Sequence, residues 1–156
     1  PEVRAFARLA RSQSIEVSLL ANSIGAYFSL CDTPAGTFKH AWLVSPLLDL
    51  EYYIRDMMAE YSVTDEQLEA QTVIHTRRGV LDWPYLRFVE EHPAKLDTPS
   101  WMIRGDQDEV VPLDTLSRFV GAPGVELVQV EGGQHFLGRP PHLDTVVAWF
   151  EERYPA

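Results

Sequence analysis

Short apolar runs alternate with amphipathic stretches along this chain. Residues 15–20 carry Ile15, Val17, Leu19 and Leu20, interrupted by Glu16 and Ser18, and read as a strand. Residues 40–44, 100–104 and 125–130 give three more strands. Ser45-Pro46 closes the second, Pro99 and Gly105 bracket the third, and Gly132-Gly133 ends the fourth. Helical spacing fills the intervals. Residues 2–11 place Val3, Phe6, Ala7 and Ala10 on one face and Arg4, Arg8 and Arg11 on another. Residues 23–30 set Ile24, Tyr27 and Phe28 at helical positions, and residues 113–120 and 143–153 read as helices too. Strands alternating with helices predict an α/β fold with a mainly parallel sheet flanked by helices. The near-continuous apolar character of the strands suits a sheet covered on both faces.

Residues 46–97 form the longest stretch without a convincing strand. Residues 49–61 are helical in pattern, Thr64-Asp65-Glu66-Gln67 has the form of a capping box, and residues 83–91 make a further helix stopped by His92-Pro93. The stretch predicts a helical insertion between the second and third strands. It is rich in aromatic residues and Met, with Tyr52, Tyr53, Met57, Met58, Tyr61 and Trp83 among them. Such side chains could bind an apolar acyl or aromatic group, but most are expected to pack the insertion onto the core.

Composition narrows the function classes. The chain has 156 residues, 46% hydrophobic and 23% charged, which is ordinary globular usage and enough for one core without disulfides. Its formal charge of −10, from 13 basic and 23 acidic side chains, repels phosphate. Nucleic acid and anionic membrane are therefore not expected partners. Cys31 is the single cysteine, so no intrachain disulfide and no Cys-rich zinc site can form. No apolar run reaches the roughly 18–20 residues that span a bilayer. No signal-peptide pattern is visible, and a cytoplasmic location is the expectation. P-loop, G-x-G-x-x-G and H-E-x-x-H motifs do not occur, so neither cofactor nor metal is expected.

Ala21-Asn22-Ser23-Ile24-Gly25 lies at the first strand-to-helix turn. Small residues there suit a tight, strained turn that lifts a serine above the sheet edge. A serine there can equally cap the following helix. The segment resembles the G-x-S-x-G nucleophile elbow of the α/β-hydrolase superfamily. Gly25 fits the pattern, and Ala21 departs from it by one methyl. In that superfamily the chain order is nucleophile, acid, histidine. Gly105-Asp106-Gln107-Asp108-Glu109-Val110-Val111-Pro112 resembles the acid segment, with Asp108 as the expected acid and Asp106 as its competitor. A solvated acidic loop is the plain alternative. Glu131-Gly132-Gly133-Gln134-His135-Phe136 resembles the histidine segment, and Ser45-Pro46-Leu47-Leu48-Asp49 is also similar to a segment of the superfamily.

The resemblance implies acyl transfer. Ser23 is the expected nucleophile, His135 the base, Asp108 the orienting acid, and the backbone N–H of Ile24 one oxyanion donor. A small-molecule acyl compound, an ester or thioester, is the implied substrate, and residues 46–97 are the implied cap. The resemblance also implies upstream strands, with a loop carrying the second oxyanion donor, that this chain does not contain. The elbow strand would then be an exposed apolar edge, open to self-association with another chain. Two other readings stand beside this one. The first is a non-catalytic α/β-hydrolase-like module that binds a ligand or partner, motivated by Ala21 and the absent loop. The second is a doubly wound, flavodoxin-like domain in which the elbow likeness is accidental. Turnover of a p-nitrophenyl ester tests the first, and the distance from Ser23 to His135 tests the second.

Overall fold

Four parallel strands form the main sheet. The computed structural model describes residues 2–31 and 33–154. They divide into two compact units, Pro1–Leu48 with Ala94–Ala156, and Asp49–Pro93.

The first unit holds β1 (Leu19–Asn22), β2 (Ala41–Val44), β5 (Ser100–Gly105) and β6 (Val125–Val130), in the order β1-β2-β5-β6. All three pairings are parallel, and Leu19, Ala41, Ser100 and Val125 share one register row. Parallel register partners face the same side. Trp42 beside Trp101, and Val44 beside Ile103, thus line one face, where α7 (His142–Arg153) brings Trp149 and Phe150. Trp42, Ile103, Val130, Leu137 and Trp149 form that core and are nearly inaccessible to solvent. Leu43 and Met102 point to the opposite face and are fully buried. This unit also contains α1 (Glu2–Ser12), α2 (Ile24–Leu30) and the five-residue α6 (Leu113–Ser117).

The fold matches the expected α/β class with a mainly parallel sheet and flanking helices, but three local expectations shift. The first strand starts at Leu19 rather than Ile15. Ser14 adopts φ 58°, the Ile15 N–H closes back on the Ala10 carbonyl, and Ile15 is left exposed. Pairing with the second strand begins only where Lys39 N–H reaches the Val17 carbonyl. On α1, Ala7 and Ala10 are buried while Phe6 is exposed, so the apolar face is narrower than the pattern suggests. The helix predicted over residues 113–120 ends at Ser117, where the Phe119 N–H tightens onto the Leu116 carbonyl.

The second unit comprises α3 (Leu50–Glu60), α4 (Asp65–Gln71), β3 (Val73–His75), β4 (Val80–Asp82) and α5 (Trp83–Glu91). Leu68, Leu81, Leu86 and Val89 are its most buried side chains. Each helix start has a cap. Asp49 accepts from Tyr52 N–H and Asp82 from Tyr85 N–H, while Thr64 and Gln67 form the predicted capping box. The antiparallel hairpin β3–β4 is absent from the sequence reading of this stretch as helical. Each strand is three residues long, so alternation has no room to show. Thr76 Oγ1, which accepts from the N–H groups of Arg78 and Gly79, builds its turn. Arg55 bridges Asp65 and Glu90, and Arg78 bridges Asp56 and Glu60 over the Tyr53 ring. No helix among the described residues is long and apolar enough to cross a membrane.

Candidate active site

The turn after β1 is a single residue. The strand runs to Asn22 and α2 begins at Ile24, so Ser23 alone reverses the chain, at φ 51° and ψ −130°. A non-glycine residue held at positive φ costs on the order of 1–3 kcal/mol. The neighbouring loop after β2 supplies the restraint. Ser23 N–H and the Asn22 side-chain amide both donate to the Val44 carbonyl, each at 3.0 Å. The Ser23 carbonyl accepts from Ala26 N–H and from Leu47 N–H, each at 3.1 Å. Asn22 thus has a bracing role that the motif does not announce.

The plain capping role for Ser23 is not what the geometry shows, because its hydroxyl makes no bond to the start of α2. Instead Ser23 Oγ lies 2.8 Å from His135 Nε2. Crowding at Gly25 also plays no part. A Cβ added there meets nothing within 4 Å, so the turn does not require a residue this small at that position.

Asp108 follows β5 and is buried. Its Oδ1 accepts from the N–H groups of Val110 and Val111, each at 2.9 Å. Its two oxygens sit 3.1 and 3.0 Å from His135 Nδ1. Burial pushes the carboxyl up. The hydrogen bond with His135 and those from the Val111 and Val110 amides together outweigh it and hold the group below the usual carboxylate range. An ionised carboxylate only accepts, so Nδ1 carries the imidazole proton and Nε2 turns its lone pair toward the Ser23 hydroxyl. The competitor Asp106 is exposed, and its backbone N–H is spent on the Val130 carbonyl.

Backbone contact sets the spacing between the acid and histidine loops. Gln107 N–H donates to the Gly133 carbonyl at 2.9 Å. A Cβ on Gly105 would lie 2.0 Å from that same oxygen, and one on Gly133 would lie 2.9 Å from Gly105 Cα. Gly132, at φ 67°, turns the chain out of β6 toward His135. His135 is buried, while the next residue, Phe136, is exposed and meets the imidazole edge-on. The other histidines lie elsewhere. His40 packs against Trp42 and Trp101, His75 lies in β3, His92 Nδ1 bonds the Phe88 carbonyl, and His142 opens α7.

Ile24 opens α2, where its N–H lies too early in the helix to have an i−4 acceptor within it. An open apolar groove of about 1080 Å³ lies on the α7 side of β1, lined by Leu20, Asn22, Gln134, Phe136, Val147 and Phe150. Two participants escape the sequence reading altogether. Arg104 is the penultimate residue of the buried strand β5, and its charge in an otherwise apolar run is the signal that could have marked it. Gly133 is visible only as a strand terminator, since its contact with Gly105 is a tertiary event.

No protein-family model matches the sequence, and no curated protein does. Solved structures do. Est1E from Butyrivibrio proteoclasticus superposes with a TM-score of 0.69 at 18% identity, over 95% of this chain and 65% of its own. The same protein with ferulic acid bound gives 0.65. An alpha-beta serine hydrolase homologue from Coxiella burnetii gives 0.55 at 20% identity, over 97% of this chain and 57% of its own. A puromycin-hydrolysing peptidase from Mycobacterium tuberculosis gives 0.59 at 21% identity, over 94% of this chain and 23% of its own. The chain therefore has the α/β-hydrolase fold, and it spans less than two thirds of the length of these structures.

Proposed function

We propose that the chain carries the catalytic triad of a serine hydrolase acting on carboxylic esters or thioesters. The observation behind this reading is the 2.8 Å approach of Ser23 Oγ to His135 Nε2, on a serine whose hydroxyl does not cap its own helix. As Ser23 Oγ attacks the acyl carbon, His135 Nε2 takes the hydroxyl proton and Asp108 stabilises the imidazolium. The tetrahedral oxyanion receives the Ile24 N–H. Collapse breaks the bond to the leaving alcohol or thiol, which departs with the proton from His135 and leaves an acyl-serine. Water then attacks that ester, giving its proton to His135. The carboxylic acid leaves and Ser23 recovers its hydrogen.

Est1E, a fold neighbour, binds ferulic acid, so hydroxycinnamoyl esters belong beside simple p-nitrophenyl esters in the first substrate panel. A fluorophosphonate probe tests the reading in the full-length protein. Labelling of the wild type that disappears in Ser23→Ala supports it. Labelling that persists in Ser23→Ala, or ester turnover without any labelling, overturns it. A folded full-length protein with neither labelling nor turnover points instead to the non-catalytic binding module.

A further inference from the structure

Arg104 is nearly inaccessible to solvent, yet among the described residues it makes no ion pair. Its Nη2 donates to two carbonyls, Asp108 at 3.1 Å and Val111 at 3.0 Å. Its Nη1 donates to Gln129 Oε1 at 3.0 Å, and its buried Nε has no acceptor. Burying a guanidinium against neutral acceptors alone is expensive, and an apolar side chain of similar length would fill the same volume at less cost. The bonds it makes are specific. They span the first and last residues of the segment whose N–H groups hold the Asp108 carboxylate. The turn is therefore held on both sides, its amides by the carboxylate and its carbonyls by the guanidinium.

We infer that Arg104 is a positioning residue that fixes the Asp108 loop, and through it the orientation of His135 toward Ser23. This rests on the serine-hydrolase reading for its kinetic consequence but not for its structural one. A planar fork can bridge two carbonyls and an amide at once, whereas a lysine ammonium keeps the charge without that span.

The test uses Arg104→Met and Arg104→Lys in the full-length protein, with thermal unfolding followed in parallel. In folded Arg104→Met, kcat for a p-nitrophenyl ester should fall on the order of 10²-fold, the cost of roughly 1 Å of misplacement, while KM holds. The downfield proton resonance between His135 Nδ1 and Asp108 should weaken as well. Arg104→Lys should show the same changes to a smaller degree, and it decides the matter alone if the Met variant does not fold. A folded variant with the wild-type kcat and resonance overturns the inference, whatever its expression level. If the wild type turns over no ester, the resonance still reads the clamp, so failure of the catalytic reading is seen separately.

Discussion

The methyl of an alanine at position 105 would have to occupy the space of the Gly133 carbonyl oxygen, 2.0 Å away. Gly105→Ala must therefore push the acid loop away from the histidine loop. Its kcat/KM for p-nitrophenyl butyrate should drop on the order of 10²-fold or more, as for other displacements near 1 Å. Gly25→Ala is the matched control. It meets nothing within 4 Å and should keep activity within about twofold, as substitutions away from packed features generally do. At Asp108 the charge matters more than the shape. Asp108→Asn keeps an oxygen for the Val110 and Val111 amides but can no longer fix the imidazole tautomer. Its turnover should fall on the order of 10⁴-fold, as for the same change in another serine triad.

Among the elements, those with long periodic patterns were legible and those made by tertiary contact were not. The strands after residue 40, the terminal helix and the capping box at Thr64 all stand near their expected places. Ile15 reads as strand because an apolar residue beside Val17 satisfies the pattern, but nothing local reports that Ser14 has turned the chain away. The β3–β4 hairpin is hidden for a related reason, since one buried residue, Leu81, is all the burial its two strands supply. The site residues are legible as an order of types after successive strands. Their braces are not, because Asn22 to Val44 joins two strands and Arg104 to Val111 depends on how the loop after β5 folds back. The capping box makes its own prediction. Thr64→Ala removes the acceptor for Gln67 N–H and should cost about 1 kcal/mol, seen as a lowered urea midpoint.

The whole molecule should feel acid through Asp108. Its carboxyl is held below the usual range when folded, so the stabilisation it brings is complete above the unfolded value of about 4. That stabilisation is lost as the pH falls through the lower folded value. Urea unfolding of wild type and Asp108→Asn between pH 7 and pH 3 should show the gap between them closing below about pH 4. A constant gap would contradict this linkage. The open side of β1 has a consequence of the same scale. Leu20 is 61% exposed on a strand that pairs on one side only among the described residues. The 156-residue chain on its own should therefore associate with rising concentration in sedimentation velocity, and Leu20→Lys should suppress that association.

The bond between Ser23 and His135 joins positions 112 residues apart. Its two ends lie on the loops after β1 and β6, so the proposed nucleophile meets its proposed base only once β6 has docked. Such long-range closure comes late when a chain acquires its structure. Reactivity of Ser23 toward a covalent probe should thus lag behind recovery of helical circular dichroism during refolding, and it would serve as a chemical clock for the last step of assembly.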